Sequence, residues 1–242
     1  NEAINLADEE DNEHLLKLSH FAILDLYKQE LTLVNSNYGK YLDKWKELMV
    51  TPYDKAWYFL HQVIYISKKV NLAEAREEFP KVYKEFEEYF KGHILNDKIR
   101  TYYFSNKAVF LKDEEQWLEA VEYSQKTIDF GKNEYYSRHE VFTAHLHLAE
   151  AYSELERFRE AAPVLKNARQ FWDKSDSISS QYLQYRYSSI YYYEKAGKYD
   201  SAYLLMKNAN RLDRMMDFRK NSLRISELNV QLEVAQKEKE VV

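Results

Sequence analysis

The side chains best able to do chemistry here are 7 histidines and 40 acidic residues, and their spacing argues against catalysis. His145 and His147 stand two apart, which on a helix turns their rings about 200° from each other. One metal ion could not take both without unwinding that helix. No H-E-x-x-H occurs, and His14 and His20 lack a ligating spacing. The chain has no cysteine, which removes thiolate catalysis, disulfides and cysteine metal sites together. Neither a glycine-rich phosphate loop nor a G-x-S-x-G elbow is present. The carboxylates alternate with lysines as solvated helix faces do, and the run Asp8 to Glu13 reads as a solvated helix start. The expectation is no enzyme, no metal and no cofactor.

Binding is the alternative, and tyrosine is the residue that raises it. Tyr182, Tyr185, Tyr187, Tyr191, Tyr192 and Tyr193 crowd one predicted helix and cannot all face a core. Tyr187 and Tyr191, four apart, share a face. They either pack between helices with their hydroxyls at the surface or form an aromatic contact for a ligand.

The elements that carry these residues are helical. Only 4 glycines and 3 prolines serve 242 residues, too few turn formers for a sheet protein. An aromatic content of 16% and an apolar content of 45% argue against disorder. The net charge of −5 comes from acidic and basic residues mixed along the chain, so there is no basic face for nucleic acid. No run reaches the ~18 consecutive apolar residues that cross a bilayer. The chain starts at Asn1 without an initiator methionine, which suggests that a targeting peptide or part of a longer chain precedes it.

A repeat organises the helices. Trp117, Phe158 and Tyr199 fall 41 residues apart, and so do Ala120, Ala161 and Ala202. Leu111, Tyr152 and Tyr193 keep this period, as do Ala108, Ala149 and Ile190. Thr127, Ala168 and Ala209 keep it again. Each unit is a helical hairpin. Leu148, Tyr152 and Leu155 share one face of its first helix, with a turn at Glu156-Arg157. Phe158, Ala161, Ala162, Leu165 and Ala168 mark the apolar face of its second. The small residues at 149 and 161 let the two helices approach. In the next copy Gly197 is free to take positive φ.

This pattern resembles the tetratricopeptide (TPR) repeat family, most closely at Tyr193, Gly197, Tyr199, Ala202 and Ala209, with Ile190 in place of the usual small residue. The TPR period is usually 34. Seven extra residues are close to two helical turns, so they lengthen the helices without rotating the buried face. That length is similar to the long TPR variants of kinesin light chains and some bacterial regulators. The resemblance implies an all-α, right-handed α-solenoid of about five hairpins over 1–216, clearest at 101–216 and degenerate at 12–95. Upstream, Phe59, Val63, Ile66, Leu72, Ala75 and Phe79 follow the same order, with Thr51-Pro52 as N-cap and first-turn proline. Leu15 to Val34, then Tyr38, Tyr41 and Trp45, would form the first hairpin, with its turn at Asn37-Tyr38-Gly39. Pro80 and Pro163 fall inside helical patterns and predict kinks.

The resemblance also implies a binding face. TPR proteins hold protein or peptide partners in a concave groove lined by the first helix of each hairpin. By position, that groove takes Tyr102, Ser105, Asn106 and Val109, then Thr143, Leu146, His147 and Glu150, then Gln184, Tyr187, Ser188 and Tyr191. The chaperone-binding TPR class places lysine where Ser105, Leu146 and Tyr187 stand, so its carboxylate clamp is not expected.

From Tyr199 the helical pattern runs to the last residue. Ile225, Leu228, Leu232, Ala235 and Val242 step as heptad positions do. The segment 217–242 is thus either a connecting helix that begins a coiled coil, and could join two copies of the chain, or a cap on the last repeat. Its stretch Ile225 to Glu240 is similar to the junction helix of Gram-negative sensor proteins. There, a TPR array precedes a membrane span and then a histidine-kinase module or a helix-turn-helix transcriptional regulator. That resemblance implies a sensor segment on the periplasmic face of the inner membrane, with any membrane contact made by sequence outside these residues. The alternative is a free-standing cytoplasmic TPR scaffold.

Overall fold

The computed structural model describes residues 13–27, 38–67, 72–93, 96–133, 137–171 and 180–218. Every regular element among them is a helix: α1 Glu13–Tyr27, α2 Tyr38–Glu47, α3 Pro52–Ser67, α4 Leu72–Gly92, α5 Asp97–Asp113, α6 Trp117–Gly131, α7 Arg138–Glu154, α8 Phe158–Ala168, α9 Ser180–Lys195 and α10, residues 199–218. The chain divides into two compact units, Asn1–Asn106 and Lys107–Val242.

In the second unit, consecutive helices pack on one another from α6 to α9, and α9 also packs on α7. The hairpin turns are copies of one another. Glu115, Glu156 and Gly197, spaced by 41, take φ of 58°, 57° and 68°. At each, the next amide reaches back five residues: Gln116 N to Leu111 O, Arg157 N to Tyr152 O and Lys198 N to Tyr193 O, all 2.8 Å. A bond spanning only three residues closes from the amides of Glu115, Glu156 and Gly197 to Lys112 O, Ser153 O and Glu194 O at 3.0, 3.2 and 3.0 Å. This is the Schellman end of a helix, which satisfies carbonyls that would otherwise lack partners. Glycine suits its left-handed residue, yet two of the three copies use glutamate.

The small residues sit where the helices meet. Ala120, Ala161 and Ala202 are buried, as are Thr127, Ala168 and Ala209, and Ala108, Ala149 and Ile190. Leu111 and Ala120 pack on Ala151 of α7. Phe142, Leu146 and Ala149 pack on Leu165 and Ala168 of α8, and Leu183 and Ile190 pack on Ala202 and Ala209 of α10. An alanine at a crossing lets backbones approach, and the leucines and rings beside it fill the remaining space. Trp117, Tyr152, Phe158 and Tyr193 are partly buried around these contacts, whereas Tyr199 is exposed. Ala162, expected on the apolar face of α8, is also exposed, because Leu165 and Ala168 already complete the contact with α7.

The first unit fills its core with rings. Phe86 is fully buried between Phe59, stacked at 5.5 Å, and Tyr103, edge-on at 5.0 Å. Phe21 of α1 meets Trp45, Trp57 and His61 within 5.1–5.8 Å, so one ring ties α1 to α2 and α3. Thr51 caps α3: its Oγ1 accepts the Asp54 amide at 3.1 Å, and the Asp54 carboxylate accepts the Thr51 amide at 2.9 Å. This capping box starts the helix at Pro52. Asp54 also accepts Lys17 Nζ from α1 at 2.9 Å. Burial pushes its carboxyl up, but Lys17 and the Thr51 and Val50 amides outweigh burial and hold it below the usual range.

One upstream expectation is corrected, and others lie partly outside the described residues. α1 spans Glu13–Tyr27, and residues 28–37, including Asn37, lie outside those described. Tyr38 and Gly39 open α2 instead of marking a turn. Gly39 serves close packing: a Cβ there would lie 2.9 Å from Tyr65 Oη, whose ring stacks on Tyr38 at 5.5 Å. Phe59, Val63 and Ile66 are buried on α3. The side chains of Leu72, Ala75 and Phe79 lie outside those described. Helices α4 and α8 continue through Pro80 and Pro163. Of the segment 217–242, only Asp217 and Phe218 are among the described residues.

Candidate functional site

The first helices of the hairpins in the second unit are the C-terminal part of α5, then α7 and α9, and a polar ladder joins them. Glu150, on α7, stands at its centre. Lys112 Nζ from α5 donates to Glu150 Oε2 at 3.1 Å, and Ser188 Oγ from α9 donates to Glu150 Oε1 at 2.6 Å. Both partners are 38 residues away, which is the repeat period less about one helical turn. The offset lets a side chain on one helix reach the next helix at equal height. Burial pushes the Glu150 carboxyl up, but Lys112, His147 and Ser188 together hold it below its ordinary value.

A second rung lies one turn further on. Tyr191 donates its hydroxyl to Glu154, and Lys195 Nζ approaches Glu154 at 2.7 Å. The Lys195 ammonium also sits 5.5 Å over the Tyr191 ring. Charge-assisted bonds of this kind, partly shielded from water, fix helix spacing more firmly than exposed pairs do.

The histidines take unequal roles. His147 lies beside the ladder, partly buried, with no hydrogen-bond partner at Nδ1. Its imidazole is pushed down to about 4 by desolvation and by the Lys112 charge, against the pull of Glu150. His145 points away, edge-on to Phe171 at 5.2 Å, and burial lowers it to about 4 as well. Both rings are neutral at pH 7. Among the described residues no group of three metal-ligating side chains converges.

The residues expected on the binding face thus have different surroundings. Glu150, Ser188 and Tyr191 tie one first helix to the next. Leu146 is a correction: it is buried in the core with Phe142 and Leu165, because its face of α7 is the one α8 covers. Thr143 bonds back to His139 O at 2.9 Å. Tyr187 is 42% exposed and presents its ring to solvent. In the first unit, Tyr102 packs on Trp57 at 5.4 Å, and Asn106 donates to Tyr102 O at 2.8 Å. Sequence reasoning missed Lys112, Glu154 and Lys195. A 38-residue spacing of opposite charges, Lys112 to Glu150, was the signal for the first.

The described helices include none long and apolar enough to cross a membrane. Comparison of the chain with protein-family models, with curated proteins and with solved structures finds no match.

Proposed function

We propose that this chain is a TPR-like, right-handed α-solenoid that binds a protein or peptide partner. Its setting would be the sensor segment of a membrane-anchored bacterial signal-transduction protein, either a two-component kinase or a transcriptional regulator. One observation carries the scaffold reading: the left-handed turn at 115, 156 and 197, repeated with the same hydrogen bonds. Identical turns at a fixed period are what stacked hairpins require. The signalling role rests on the junction-like stretch Ile225 to Glu240. The ladder through Glu150 and Glu154 supports a mechanical part in it, since a load on one first helix passes to the next through charged contacts. Tyr187 is the exposed aromatic anchor of the partner face.

Two measurements test this. A compact domain of this length has a radius of gyration of about 18 Å. Small-angle scattering of the monomer should exceed that value clearly, and a result near it removes the solenoid. Reading the natural gene past Val242 tests the setting. An apolar run of ~20 residues within the next 40 or so is expected, and a stop codon or polar tail leaves the free-standing scaffold.

A further inference from the structure

A cleft of about 590 Å³ opens between α8 and α10, floored by α9. That volume lies in the range of ligand sites. It separates the second helices of consecutive hairpins, away from the face that carries Glu150 and Tyr187. Its charged lining has one sign. Lys166 comes from α8, Arg169 from just after its end, Arg186 from α9 and Lys198 from the turn into α10, and no carboxylate lines it among the described residues. Four cations round one cavity stand out in a chain whose net charge is −5. Among the described residues Lys166, Arg186 and Lys198 form no ion pair with a carboxylate, although carboxylates pair with lysines and an arginine on neighbouring surfaces.

Arg186 is held ready for an acceptor. Its guanidinium lies 4.8 Å over the Tyr182 ring and donates to the Tyr182 hydroxyl. Its Nε is buried and meets no acceptor among the described residues. A partly buried guanidinium beside an aromatic ring, with no carboxylate against it among the described residues, keeps a donor that an arriving anion can take. The remaining walls are aromatic and apolar, with Tyr192 partly buried and Leu204 exposed at the rim. A single small anion needs donors converging on one point. Here the cations come from three elements, with apolar surface between them, which fits several negative groups spaced along an apolar body.

We propose that this cleft binds an acidic peptide segment of a protein partner, with carboxylates on Lys166, Arg186 and Lys198 and an apolar side chain against the tyrosines. The site adds to the scaffold reading and stands without it, because it uses neither the first-helix face nor the junction-like stretch.

The test titrates the intact chain with a fluorescein-labelled peptide of alternating glutamate and phenylalanine, with its lysine–phenylalanine counterpart, and with phenyl phosphate. The glutamate peptide should bind, lose about tenfold or more in affinity as salt rises from about 50 to 300 mM, and outbind both other probes. Lys166→Glu with Arg186→Glu should abolish binding, whereas Lys207→Glu, exposed on α10 outside the cleft, should leave it within about twofold. Should the double variant misfold, amide chemical-shift changes in the unaltered chain decide: they should cluster on α8, α9 and the start of α10. No binding at millimolar peptide, equal binding of the lysine peptide, or shifts elsewhere overturns the proposal. So does tighter binding of phenyl phosphate, which would make the site one for a small anion.

Discussion

The two units build helical cores from opposite materials. The second sets helix against helix with alanines at a fixed period and ends its first helices with one turn, used three times. The first interleaves rings, with Phe21, Phe59, Phe86 and Tyr103 each touching two or more others. An alanine crossing specifies distance and so enforces a register that can be repeated. A ring cluster specifies shape and need not repeat. The contrast explains why the 41-residue period is plain after Lys107 and faint before it.

If that contrast is right, truncation should hurt the first unit most. Phe86→Ala removes a fully buried ring and should cost about 4 kcal/mol, measured by urea denaturation. A loss under about 1 kcal/mol would show that the ring cluster collapses around the gap and does not specify shape.

Acid should act on the second unit through its buried histidines. In the folded second unit, His145 and His147 are lowered from 6.5 to about 4, so below pH 6.5 the unfolded chain binds protons that the folded chain refuses. Stability therefore falls as pH drops from 6.5 towards 4 and levels off below, by about 4 kcal/mol at pH 5 for the pair. Glu150 adds a loss of the same sign below its ordinary 4.5. Asp54, in the first unit, is lowered from 3.8, so its contribution is lost only under stronger acid. Urea melts at pH 7 and pH 5 should show the difference, and His145→Leu should reduce it. A pH-independent melt over this interval contradicts the buried neutral imidazoles.

Overfilling should hurt the second unit. Ala161→Leu forces a branched side chain into a crossing where the native residue is wholly buried, at about 2 kcal/mol. A thermal melt unchanged by this substitution would mean that the alanine crossings do not set the helix distance.

The smallest effect should be a gain. Glu156→Gly relieves a left-handed glutamate and should stabilise by about 0.5–1 kcal/mol, less than the strain itself because glycine also loosens the unfolded chain. Gly197→Ala should show the reverse. A Cβ there meets nothing within 4 Å, so only the φ of 68° is at issue. Equal melting temperatures for all three proteins would remove the turn from the account of the repeat.

Much of the second unit was legible because its determinants are local. Alanine at fixed spacing, a turn glycine and a run of helical periodicity all lie within one hairpin. The left-handed glutamates at 115 and 156 could be placed only by analogy with Gly197, since glutamate carries no such preference. The expected binding face was harder. Position in a repeat says that Leu146 and Tyr187 are equivalent, yet α8 buries the first and the second stays exposed. The basic cleft was invisible for a different reason: Lys166, Arg186 and Lys198 lie on three elements, and their common cavity is a tertiary fact. Gly39 misled because glycine marks both turns and close approaches, and only Tyr65 tells which.

The equal turns also define where this chain can be cut. Removing residues 116–156 would join the left-handed Glu115 to Arg157, the residue that follows the equivalent turn, and so restore the same hydrogen-bonded end. The shortened protein would keep its helical register, while Lys112 would face Tyr191 where it now meets Glu150. The hairpin is therefore a unit of exchange, and its gain or loss would change charge on the first-helix face before it changed the fold.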